Sequence, residues 1–238
     1  MKKIICIMMA MLLVFSSALT INAASIDKEQ PETNDIKSMY WQLRRSGSVN
    51  TDNISIQLVN KEDGKVIEVE AFALNDRSNQ HSKNVYVFAV PADAFNAVPE
   101  DNSFKGSGSG SNGDYDNTYS VYGYVSYNYL TKTAHGETGY LLTDVAGGWQ
   151  IVDSSVSIIY KEVNYGCVGI TLTDTGHGMY FNQTATRYPT NNTFNYYTNF
   201  SKYVINDGNL SLMGINTEAT LLHGNSSTWT LTVIKNEF

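Results

Sequence analysis

The stretch Tyr119-Ser-Val-Tyr-Gly-Tyr-Val-Ser-Tyr-Asn-Tyr-Leu-Thr-Lys132 decides the fold. Aromatic and β-branched side chains pack well on a pleated surface and favour extended backbone. Strand alternation sets Tyr119, Val121, Val125, Tyr127 and Tyr129 on one side, and Tyr122, Tyr124 and Leu130 on the other. A strand that is apolar on both faces belongs in the middle of a sheet covered by another layer.

Working outward, the same period of two recurs along most of the chain. Upstream, Ile54-Ser-Ile56-Gln-Leu58 alternates, Lys61-Glu-Asp-Gly64 turns, and residues 66–74 return as a second strand. The Asp63-Gly64 step supplies the positive φ that a tight hairpin needs. Residues 84–90 make a third strand, stopped by Pro91. Downstream, His135-Gly136-Glu137 is a turn and residues 140–145 pair back; Gly147-Gly148 is expected to break the chain before Trp149. Further strands are expected at 156–163, 168–172, 179–187, 193–204, 210–222 and 227–234, punctuated by Gly, Asn and Asp. One short helix is expected where Ile36, Met39, Tyr40 and Leu43 recur at i, i+3, i+4, i+7. The expectation is an all-β fold, an antiparallel β-sandwich of immunoglobulin-like or jelly-roll-like type, with that one N-terminal helix.

The ends of this domain are set by composition. Lys2 and Lys3 precede an uncharged apolar run, and Ile21-Asn22-Ala23-Ala24 ends a small, polar stretch. That is the layout of a secretory signal peptide over residues 1–24. Residues 25–47 read as a polar arm carrying the helix, and 48–238 as a single domain. The tract Gly106-Ser-Gly-Ser-Gly-Ser-Asn-Gly113 reads as one flexible loop within it. Cleavage would remove Cys6 and leave Cys167 alone, so no internal disulfide is expected. Secretion without disulfides points to a bacterial extracellular protein.

The segment with Tyr140, Leu141, Leu142, Gly147-Gly148-Trp149, Ile151, Asp153-Ser154-Ser155-Val156 and Tyr165-Gly166 resembles a group of secreted, β-rich proteins of Gram-positive bacteria. Tyr188-Pro189-Thr190 and Ser226-Ser-Thr-Trp-Thr-Leu231 extend the resemblance over the C-terminal half. It implies secretion and β-structure, and no activity.

Chemistry-bearing residues are scattered. Asn164-Tyr-Gly-Cys167 superficially resembles the cysteine core of L,D-transpeptidases, but Tyr165 stands in place of their histidine and Gly169 in place of their arginine. Cys167 reads instead as a small buried residue. His81, His135, His177 and His223 show no metal-ligand spacing. Asp114-Tyr-Asp116-Asn117 offers alternating oxygens but lacks the Gly and distant Glu of a calcium loop. No metal, cofactor or catalytic residue is expected. A formal net charge of -7 argues against nucleic acid or an anionic membrane as partner. No membrane span is expected once the signal is removed.

The 16 tyrosines are what remains to carry function. Tyr122, Tyr124 and Tyr127 are the expected binding residues, because exposed tyrosine offers contact area at low entropic cost plus one polar handle. The sequence thus reads as a secreted, non-catalytic binding module for a cell-surface protein or a glycan. The alternatives are a secreted hydrolase with dispersed acids, which two carboxyl groups facing each other in a cleft would favour, and a pore-forming β-protein. The pore reading is weakened because Asn128 and Lys132 share the face of Tyr122, Tyr124 and Leu130.

Overall fold

The computed structural model describes residues 36–46, 54–78, 81–95, 119–208, 210–225 and 227–238, all within one unit, Thr33–Phe238. The proposed signal peptide, the Gly/Ser tract and the Asp114–Asn117 segment lie outside the described residues. The described chain is mostly antiparallel β with one helix. In order these are α1 (Ile36–Ser46), β1 (Ile54–Asn60), β2 (Val66–Glu68), β3 (Ala71–Ser78), β4 (His81–Pro91) and a 3₁₀ turn (Ala92–Phe95). There follow β5 (Tyr119–Ala134), β6 (Glu137–Ile151), β7 (Val156–Thr173), β8 (Gly176–Arg187), β9 (Thr193–Tyr197), β10 (Val204–Ile205), β11 (Leu212–His223) and β12 (Ser227–Asn236).

The strands form one sheet in the order β2-β1-β12-β11-β7-β10-β6-β5-β4-β3, with β8 on β7 and β9 on β6. Its two ends, β2 and β3, are consecutive pieces of chain separated only by Val69 and Glu70. The sheet therefore curls into a half-barrel instead of dividing cleanly into the two layers of a sandwich. The short β10 joins the two limbs of the sheet: Val204 pairs with Tyr140 on β6 and with Thr171 on β7. The Asp63-Gly64 hairpin forms as expected, with Gly64 at φ 74° and Leu58 opposite Ile67. The expected return strand does not run on to residue 74. It breaks after Glu68, and the chain crosses from β1 to pair with β4.

The inside of the curl holds the main core. Leu58, Trp229, Leu231, Val233, Ile215, Val163 and Cys167 from one limb meet Phe88, Val125, Tyr127, Leu142 and Trp149 from the other. Burying each such side chain contributes about 1.5–3 kcal/mol. A second, smaller core lies under α1, where Ile36 and Tyr40 cover Phe72, Val85, Val87, Ala89, Tyr122 and Tyr124. The period read in the sequence is thus borne out: the odd face of β5 lines the curl and the even face lies under the helix. Tyr119 departs from that alternation. A register shift at the end of the β4–β5 ladder, where Val90 pairs with Val121 but Pro91 with Tyr119, turns it to the helix side.

Gly147 and Gly148 do not break β6. They let β9 and its side chains approach: a Cβ on Gly147 would sit 2.4 Å from the Phe194 ring, and one on Gly148 2.9 Å from the Asn192 carbonyl. Glycine inside a strand marks such a close approach.

Candidate functional site

Three separated segments meet at the edge of α1. Lys37 comes from the first turn of the helix, Tyr119 and Tyr122 from the start of β5, and Val152 and Asp153 from the chain leaving β6. With Ala92 they line a cleft of about 340 Å³.

Each wall is held in place. The Lys37 amide, one of the helix donors without an intrahelical partner, donates to Gln150 Oε1 on β6 at 3.1 Å. This fixes the helix N-terminus, and the Lys37 ammonium lies 5.9 Å from the centre of the Tyr122 ring. The Tyr119 and Tyr122 rings pack at 5.7 Å. Behind them Tyr119 packs edge-on against Tyr40 at 5.4 Å and Trp41 at 5.8 Å. Arg44 donates to the Tyr119 hydroxyl at 2.6 Å and lies 5.1 Å over Trp41.

Asp153 is the acidic wall. Its carboxylate accepts from the Ser155 amide at 2.9 Å, the Ser155 hydroxyl at 2.7 Å and the Ser120 hydroxyl at 3.1 Å. Those Ser155 bonds, then Ser120 and the nearby His223, hold it below the usual carboxylate range. His223 is itself stacked on Phe95 at 5.2 Å. The cleft therefore brings together an anchored Asp153 carboxylate, the Lys37 side chain and the partly buried Tyr119 ring, with Tyr122 almost wholly buried at its floor.

The expected exposed tyrosine cluster does not form. Tyr122, Tyr124 and Tyr127 are all buried. Tyr122 and Tyr124 lie under α1, and burial raises the pKa of the Tyr122 hydroxyl. Tyr127 faces the inside of the curl and donates to Glu237 at 2.5 Å. Burial, then the neighbouring Tyr86 and Glu237, pushes its pKa up. Only Tyr122 among the three borders the cleft. Sequence reading missed Lys37, Gln150 and Asp153, although Asp153-Ser-Ser155 carries the signature of an Asx turn. The side chains exposed instead include Tyr160, Tyr180, Phe181, Tyr188 and Tyr197.

Cys167 lies in the core, its thiol 3.5 Å from the Tyr140 carbonyl, and burial pushes its pKa up to about 11. That is the reverse of an activated nucleophile. His177 sits 3.0 Å from Glu137 and His135 against the Asp174 carbonyl, both at the hairpin ends. Among the described residues no three His, Cys, Asp or Glu side chains converge on a metal position. No described helix is long and apolar enough to cross a membrane. Glu162 and Glu218 pair in register on β7 and β11, on the open outer face. Hydrogen bonds from Tyr160 and Asn164 hold the Glu162 carboxyl below its usual range. No known family, curated protein or solved structure matches the chain.

Proposed function

We propose that this is a secreted bacterial binding module without catalytic activity, and that it takes a glycan in the cleft between α1 and the start of β5. The observation that carries this reading is a single cleft lined by an anchored Asp153 carboxylate, Lys37 and the Tyr119 ring. Sugar hydroxyls donate to a carboxylate and accept from an ammonium, and the C–H faces of a pyranose rest on aromatic carbons. A surface protein is the second partner class and would use the exposed aromatics instead. The N-terminal segment with Lys2, Lys3 and the apolar run supports secretion. The curled sheet is read as an opened β-sandwich, because both limbs line one core as the two layers of a sandwich do.

The test is binding of the mature chain to an array of bacterial and host glycans. Asp153→Asn and Lys37→Ala, both correctly folded, are expected to weaken binding of any hit by about tenfold or more. A hit that both variants bind as well as the wild type would remove the cleft from the account.

A further inference from the structure

β8 is an edge strand. It pairs with β7, and among the described residues no backbone group of β8 bonds to any other segment. Edge strands are ordinarily blunted by charge, proline or brevity, because open amides and carbonyls recruit other strands. β8 has twelve residues. It carries no proline, and residues 175–190 contain no carboxylate in a chain of net charge -7. Its one lysine or arginine is Arg187 at the far end, and toward its start it shows Met179, Tyr180 and Phe181, which are 81%, 54% and 42% exposed. Tyr188, one residue past its end, is 64% exposed.

We infer that β8 joins a second copy of this chain, strand to strand and antiparallel, about a two-fold axis through Thr184. The occupant is a second copy because the strip is complementary to itself. With Thr184 against Thr184, Tyr180 meets Tyr188 of the second copy, and Phe181 meets Arg187, a ring against a guanidinium. Asn182 meets Thr186, and each of these pairs occurs twice. The exposed aromatics at both ends are covered, and two acidic chains approach along a strip free of carboxylates, so no like charges oppose one another. The stretch 180–188 spans about 30 Å of extended chain.

The ladder between β7 and β8 also sets the limit of the contact. Ile170 pairs with Tyr180 but Leu172 with His177, so Gly178 and Met179 bulge opposite Thr171. The Thr171 hydroxyl donates to the Met179 carbonyl at 3.0 Å and holds the bulge. A bulge ends regular pairing, which leaves 180–187 of β8, with Tyr188 directly after it, as the stretch that pairs. The chain 198–203 does not compete for this edge through Gln183, because that side chain points inward. Gln183 accepts from the Ser201 and Lys202 amides at 3.0 and 3.1 Å.

Two measurements on the mature chain test this, and neither involves a cleft residue. Sedimentation velocity should find a dimer at tens of micromolar. The double variant Tyr180→Lys, Phe181→Lys should raise its dissociation constant by at least about tenfold with an unchanged circular dichroism spectrum. Under mild oxidation, Thr184→Cys should form a disulfide-linked dimer rapidly, and Thr186→Cys, four residues from its symmetry mate in register, should not. A wild type that is monomeric at about 200 μM, several times the concentration at which the dimer is expected, overturns the inference. So does a dimer that the lysine variant leaves intact, or equal crosslinking at 184 and 186.

Discussion

The Tyr127 hydroxyl donates to the Glu237 carboxylate at 2.5 Å, tying the middle of β5 to the residue that follows β12. Tyr129 donates to the other oxygen of the same carboxylate at 3.1 Å, and Lys235 lies 4.0 Å from it and 5.4 Å over the Tyr86 ring. The residues that follow β12 thereby tie the two limbs together by polar contacts.

Tyr127→Phe keeps the ring and removes one bond to a partly buried charge. It is expected to cost about 1.5–3 kcal/mol, the range for hydrogen bonds to charged groups. Urea denaturation with an unchanged m-value is the check. Glu237→Gln should cost a similar amount, and the double variant less than the sum, because both act on one network.

Asp153 supplies a pH dependence with a definite sign. Its folded pKa is lowered, so its contribution is fully present above the unfolded value of about 4. It is lost as pH falls through the folded value. Asp153→Asn should therefore lose most relative to wild type at neutral pH and converge with it in acid. Melting temperatures of both proteins from pH 7 to pH 2.5 read this out, and a gap that widens in acid contradicts it.

Cys167 should resist alkylation by iodoacetamide at pH 8 in the folded protein and react at once in denaturant. Its core position and a pKa raised to about 11 both predict this. Cys167→Ser should cost about 1–3 kcal/mol if the new hydroxyl stays unpaired.

Two glycines separate steric from backbone effects. Gly147→Ala drives a methyl to 2.4 Å from the Phe194 ring and 2.9 Å from the Tyr124 carbonyl, and should cost about 1–3 kcal/mol or more. Gly136→Ala meets nothing within 4 Å, but φ is +80°, so only about 1–2 kcal/mol of backbone strain is expected. Chemical denaturation of the two variants checks the order.

Much of the fold was legible because it depends on local pattern. The two faces of 119–132, the helix at Ile36, Tyr40 and Leu43, and the turns at Gly64 and Gly136 all follow from periods and φ preferences. What was not legible depends on which distant segment covers which face. Nothing in the Tyr122 neighbourhood says that Tyr40 lies on it, or in the Tyr127 neighbourhood that Glu237 does. The pattern of 119–132 says that both faces are covered, but not which segments cover them. The same holds for the cleft, where Lys37 is more than 80 residues from Tyr119 and more than 110 from Gln150 and Asp153. The switch of strand at Val69–Glu70 was hidden because Ile67-Glu68-Val69-Glu70-Ala71 keeps the alternation of a strand straight through the corner.

The most direct test of the binding reading is a titration of the ¹⁵N-labelled protein with a soluble glycan identified on the array, followed by amide shifts. The account predicts that the perturbed amides gather at Lys37, Tyr119, Tyr122, Val152 and Asp153 and that Asp153→Asn abolishes the shifts. Shifts confined to residues 180–188, or saturable binding that leaves the cleft amides unmoved, would contradict it.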